Sequence, residues 1–222
     1  MKKIICNCAL TVLLIFTSSQ SFASNVLLDL ATTNSSSKQE LSWGSTGSYS
    51  YGSVITPASD MNVGSFSFQM RKNTSTDTVA QPFKAYIYES NSVGVLAGSA
   101  IAQSNETTST NSTTHTEVKA ELTSTVTLSS GSDYTLIFNV VGVSGANSDD
   151  YYIWELSNVG NSQVVGNWYS NDSSDGISNP DFYSENFALK VYEADVMVVK
   201  KSRGTGPGGK DLNFFEHLVY LT

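Results

Sequence analysis

Three groups of residues in this chain have the types and spacing to do chemistry. The first is the run Asn171-Asp172-Ser173-Ser174-Asp175-Gly176, continuing to Asn179-Pro180-Asp181. Its carboxylates Asp172, Asp175 and Asp181 are hard oxygen donors, and Ca2+ gathers about six to eight such oxygens, often from loops. A structural calcium ion is therefore a candidate occupant of this run, with no cofactor otherwise indicated. The run is not an EF-hand, since it has no closing Glu at the required spacing. Asp, Asn and Ser also build ordinary turns by bonding their own backbone, so a plain turn is the competing reading.

The second group is aromatic. Trp168, Tyr169 and Tyr183 flank the Asp-rich run. Rings with an apolar face and a polar tip stack well on sugar rings, so these three are candidates for binding a neutral glycan. Tyr169 and Tyr183 come first, because a ligand there could meet both a ring and a carboxylate. Trp168 falls on a strand-like segment, where a tryptophan also serves as core.

The third group is Gly204-Thr205-Gly206-Pro207-Gly208-Gly209-Lys210, which imitates a phosphate loop. It fails as one. Asp211 stands where Ser or Thr should hold magnesium, and only twelve residues follow Lys210. The run is expected to be a Gly-rich linker, with no nucleotide partner. Catalytic constellations are equally thin. The two histidines, His115 and His217, lie in a polar tract and in the tail, and no G-x-S-x-G elbow exists. A pair of carboxylates would suffice for a glycosidase, but nothing in the pattern selects a pair. The chain therefore reads as non-catalytic, a binding, surface or matrix component. The alternative is a carbohydrate-binding module or a secreted carbohydrate-active enzyme.

What elements would hold these groups? The 222 residues are 14% charged, against about 25% in an average globular protein. Ser, Thr and Asn fill the gap with a third of the chain. A helical bundle needs surface Lys, Glu and Arg, so strands are favoured. Apolar residues recur at a period of two: Phe66, Phe68 and Met70; Phe83, Ala85 and Ile87; Val118, Ala120 and Leu122; Tyr134, Leu136 and Phe138; Phe187, Leu189 and Val191. Turn clusters such as Ser129-Ser130-Gly131-Ser132-Asp133 separate them. About ten strands are expected, in antiparallel sheets with one wet face each. Two such sheets face to face make an all-β, antiparallel two-sheet β-sandwich, jelly-roll-like. The tract Gln103 to Thr116 is so polar that it is expected to be a long loop or an edge strand.

The two ends differ from this middle. Residues 1-23 have the order of a secretory signal peptide: Lys2 and Lys3, the apolar run Ile4 to Phe16, then Ser21-Phe22-Ala23 before the cut. The run is too short to span a bilayer, which takes about 20 residues. Cys6 and Cys8 lie inside it, so the mature chain has no cysteine, no disulfide and no thiol chemistry. The expected location is secreted or cell-surface, with the periplasm as the alternative. Residues 24-195 are the sandwich domain, and they carry 18 acidic and 6 basic side chains. Residues 196-222 are a basic, Gly-containing tail. Asp211 as cap, with Leu212, Phe215 and Leu218 at helical spacing, predicts a short helix there. With a net charge of -8 the chain is a poor partner for nucleic acid or for anionic polysaccharide.

The strand order resembles a family of bacterial secreted and surface β-sandwich domains, the choice-of-anchor R type. The similar pieces are Met61 to Lys72, Phe83-Lys84-Ala85-Tyr86-Ile87-Tyr88-Glu89, Val93 to Ser99, the hairpin Val126 to Leu136, the aromatic segments Tyr151 to Trp154 and Asn167-Trp168-Tyr169, and Phe187 to Tyr192. Together they cover about residues 45-194. This chain lacks the family's Pro-Gly turn near Val93 and its usual C-terminal anchor. The resemblance implies a sandwich fold and an extracellular setting, and it carries no catalytic residues.

Overall fold

A computed structural model describes residues 25-30, 38-43, 49-72, 80-144, 151-156, 162-183, 186-194, 197-205 and 211-220. The expected leader Met1 to Ala23 lies outside these residues. Among them there are sixteen strands and no helix. In chain order the strands are β1 (Val26–Asp29), β2 (Lys38–Trp43), β3 (Ser50–Ile55), β4 (Met61–Lys72), β5 (Pro82–Ser90), β6 (Leu96–Gln103), β7 (Thr107–Thr108), β8 (Thr116–Leu128), β9 (Tyr134–Asn139), β10 (Tyr151–Leu156), β11 (Val164–Ser170), β12 (Asp181–Tyr183), β13 (Asn186–Phe187), β14 (Leu189–Glu193), β15 (Met197–Thr205) and β16 (Asp211–Tyr220).

Fourteen of them form two antiparallel sheets of seven strands each, packed as a β-sandwich. In sheet A, β4 pairs with β8 along one edge. Its other edge serves two neighbours in tandem: Val63 to Phe68 bond β14, and Met70 to Lys72 bond β10. β1 then lies on β14 and β2 on β10. Sheet B runs β12-β11-β3-β9-β5-β6, with β7 also on β5. The polar tract after Gln103 thus contributes both loop and the short strand β7, as its composition predicts.

Alternation drives the packing. Phe66, Phe68 and Met70 of sheet A and Phe83, Ala85, Ile87, Leu136 and Phe138 of sheet B are fully buried between the layers. Phe138 is the hub. Its ring lies 4.3 Å from that of Phe83, 4.9 Å from Phe68 and 5.3 Å from Phe66, centroid to centroid. Offset and edge-on aromatic contacts at these separations add to the burial of apolar area.

Sheet B departs from the expectation of one wet face. Every residue of β3 and β9 is buried. A second apolar cluster explains this. Val54, Tyr88, Ile137 and Trp168 lie on the outer face of sheet B, with Tyr86, Leu96, Ile177 and Phe182 packed around them. The covering side chains come from loops and an edge strand, so strand periodicity alone carries no trace of them. Sheet A keeps the expected polar outer face. There Lys190 approaches Glu117 at 3.4 Å and Asp29 at 3.7 Å, and the Tyr192 hydroxyl donates to Glu117.

The tail corrects one expectation. Asp211–Tyr220 is a strand, not a helix, and pairs antiparallel with Met197–Thr205. Phe214, Phe215, Val219 and Tyr220 all favour extended backbone, and Val198 and Val199 stand opposite Val219 and Leu218 as partners. A lone helix of this length is marginal in water, whereas the hairpin has a ready second strand. The two strands form a separate two-stranded sheet. The glycines from Gly206 onward in the Gly-rich run lie outside the described residues. No helix among the described residues is long and apolar enough to cross a membrane.

Candidate functional site

The Asp-rich run and the aromatics meet at one edge of sheet B. β11 pairs with β3 so that Tyr169 stands opposite Tyr51 and Trp168 opposite Gly52. Adjacent residues of a strand point to opposite faces. Tyr169 therefore takes the inner face with Tyr51, and Trp168 the outer one. β12 adds the edge strand, with Tyr183 opposite Asn167, Phe182 opposite Trp168 and Asp181 opposite Tyr169. Gly166 allows this close pairing, because a Cβ there would fall 2.7 Å from the Phe182 ring and against the Tyr183 carbonyl.

The sandwich thus brings Tyr169 and Tyr183 together, fourteen positions apart in the chain. Their rings are parallel to within 11°, with centroids 5.2 Å apart. Behind them Tyr51 lies 5.8 Å from Tyr169, and Phe187 lies 5.5 Å from Tyr51. Four rings form a row from the core to the solvent. Phe187 is fully buried at one end, and Tyr183 is 46% exposed at the other. Burial pushes the Tyr169 hydroxyl well above the ordinary tyrosine range, helped by a hydrogen bond with Tyr183 and by the negative charge of Asp181. The outer member of the pair, Tyr183, presents an apolar ring to water.

Trp168 lies on the other face of sheet B. It is fully buried in the outer cluster, and Gly94 sits on its ring edge: a Cβ at Gly94 would lie 2.6 Å from Trp168 Cδ1. It is not part of the exposed tyrosine pair. The carboxylates of the Asp-rich run are occupied by their own loop. Asp172 Oδ1 accepts the N–H and hydroxyl of Ser174. Asp175 Oδ1 accepts the N–H groups of Ile177 at 2.8 Å and Ser178 at 2.9 Å, and its Oδ2 accepts the Ser178 hydroxyl at 2.7 Å. These bonds hold both carboxyls below the usual aspartate range, the Ser174 hydroxyl first for Asp172 and the Ile177 N–H first for Asp175. Asp181 stands across from Tyr169 on β12. Among the described residues no three His, Cys, Asp or Glu side chains converge as a metal site would require.

Tyr51 and Phe187, the inner half of the aromatic row, are site residues that sequence reasoning missed. Their signal was present, since both alternate as core positions, but their link to Tyr169 depends on cross-sheet packing. Gly166, a glycine inside a strand run, was a legible sign of close backbone approach. No protein-family model matches the chain, and no curated protein or solved structure matches it.

Proposed function

We propose that this chain is an exported, non-catalytic binding domain that engages a neutral glycan through the Tyr169–Tyr183 pair. The observation that carries the reading is Tyr183 itself, half exposed yet held parallel to the partly buried Tyr169 ring. An unsupported surface tyrosine loses rotamer freedom when it meets a ligand. Stacking on Tyr169 means that this loss is already made, which is the advantage of a preorganised contact. A pyranose ring offers an apolar face to such a platform and needs no charge on the protein. The net charge of -8 disfavours anionic partners, nucleic acid among them. The signal-like leader and the resemblance to extracellular sandwich domains support the exported setting.

The test is affinity electrophoresis of the mature protein through gels containing neutral polysaccharides, with Tyr183→Ala and Tyr169→Ala alongside. Tyr183→Ala is expected to abolish retardation with its Tm within about 2 °C of the parent, because an exposed side chain contributes little to stability. Retardation that survives in Tyr183→Ala, or a parent that no neutral polysaccharide retards, overturns the reading.

A further inference from the structure

The outer face of sheet B carries a feature that the tyrosine pair does not use. Among the described residues, Trp168 Nε1, Thr135 Oγ1 and Ser90 Oγ are buried polar atoms without hydrogen-bond partners. Thr135 stands directly opposite both Val54 and Tyr88 in the sheet. Ser90 ends β5 immediately before the turn Asn91 to Val95. Gly94, at the tip of that turn, lies over Trp168 and Val54. Buried polar groups are nearly always paired, so an unpartnered indole N–H beneath this turn calls for an explanation.

The turn itself is built as an independent body. Asn91 Oδ1 accepts the N–H groups of Val93 at 3.1 Å and Val95 at 2.9 Å. The Gly94 N–H donates to the Asn91 carbonyl, and the Asn91 N–H donates to the Val95 carbonyl. These bonds close the turn on itself. It meets the outer face through Gly94, which adopts φ +72° and would clash with the indole if it carried a Cβ, and at its base the Ser90 N–H donates to the Asp133 carbonyl. Val93 and Val95, on its outer side, are 52% and 56% exposed. A self-bonded turn can move as one piece without breaking its own hydrogen bonds. Moving it would uncover Val54 and the edge of the Trp168 indole, its N–H included, which Gly94 covers.

We propose that Asn91–Val95 is the lid of a second binding site, on the face of sheet B opposite the tyrosine pair, which takes an uncharged pyranose ring. Val54 and the indole edge supply the apolar contact. The indole N–H donates to a sugar oxygen. Asp175, whose charge is felt at Tyr88, disfavours an anion in the same place. The site does not depend on the Tyr169–Tyr183 platform.

The test follows the indole 1H–15N resonance of Trp168, assigned with Trp168→Phe, in the mature protein. Maltohexaose, cellohexaose and laminarihexaose are titrated in turn. At least one should move that resonance, equally in a Tyr183→Ala background, where the first site is gone. Asn91→Ala loosens the turn without touching the sheet. It should speed hydrogen exchange of the indole N–H at least tenfold and change the apparent affinity at least threefold. If no hexaose moves the resonance in the parent or in Asn91→Ala, the cluster is only a second core and the proposal fails. It fails equally if the shift disappears in Tyr183→Ala, since the signal then comes from the first site.

Discussion

Asn139, at the end of β9, donates its side-chain amide to the Asp175 carbonyl at 2.8 Å, and Gly176 lies flat against that same amide. This relationship helps to seat the Asp-rich loop on sheet B, together with Ile177 in the outer cluster and the Ser170 hydroxyl, which donates to the Ser178 carbonyl. A Cβ on Gly176 would fall 2.4 Å from Asn139 Oδ1, and the residue's φ of +71° disfavours any side chain. Gly176→Ala is therefore expected to lift the loop and cost about 1–3 kcal/mol. At roughly 2–4 °C per kcal/mol for a chain of this size, calorimetry should resolve the fall in Tm. Gly142→Ala is the control. It has a similar φ of +72° but open space around it, so it should cost only about 1 kcal/mol. Equal losses in the two variants would mean that the Asn139 contact contributes nothing.

The loop's carboxylates make a second expectation, in pH. Hydrogen bonds hold the Asp172 and Asp175 carboxyls below the ordinary 3.8. A carboxyl lowered in the folded state stabilises the fold above its unfolded pKa, and that contribution is lost as pH falls through the lowered folded value. The Tm should thus decline on acidification below pH about 4. Asp175→Asn keeps an acceptor for Ile177 but removes the charge. Its Tm should start lower at neutral pH and fall less steeply between about pH 5 and 2. A parallel curve for parent and mutant would show that Asp175 is not linked to folding.

How much of this was legible beforehand can be argued residue by residue. Phe66, Phe68, Phe83, Leu136 and Phe138 announce their burial by alternation, because the period of two is set by the strand's own geometry. The β-sandwich follows from them. The burial of Asn139 could not be read, since it depends on where the loop at 171–180 folds back. The same holds for Tyr169 and Tyr183, whose stacking is created by β12 returning along β11. The tail misled for another reason. Leu212, Phe215 and Leu218 fit a helix, but Phe214, Phe215, Val219 and Tyr220 fit a strand equally well, and pairing with β15 decided between them.

The separate hairpin β15–β16 gives a third expectation. Among the described residues its strands bond only each other, and an isolated two-stranded hairpin contributes little stability. Deleting residues 196–222 should leave the Tm within about 3 °C of the parent and its cooperativity unchanged. A fall of more than about 8 °C would show that the tail packs into the sandwich.

The last expectation concerns the outer face of sheet A, where Lys190 joins three strands. Its ammonium reaches Asp29 on β1 at 3.7 Å and Glu117 on β8 at 3.4 Å. The lysine side chain is 18% exposed, the two acids 28% and 30%. Such partly sheltered pairs fall between exposed ones, at about 0–1 kcal/mol, and buried ones, where losing one partner costs several. The asymmetry between the partners is the informative part. Lys190→Met removes the cation from both carboxylates, and should cost roughly 1–2 kcal/mol. Glu117→Gln leaves Lys190 paired with Asp29 and keeps an acceptor for the Tyr192 hydroxyl, so it should cost less. In the double variant the Lys190–Glu117 pair is lost once rather than twice, and the loss should be smaller than the sum of the singles by about 0.5 kcal/mol or more. Chemical denaturation of the four proteins measures each term. Strict additivity, or a larger loss from Glu117→Gln than from Lys190→Met, would mean that the lysine does not hold the first strand to β8 through charge.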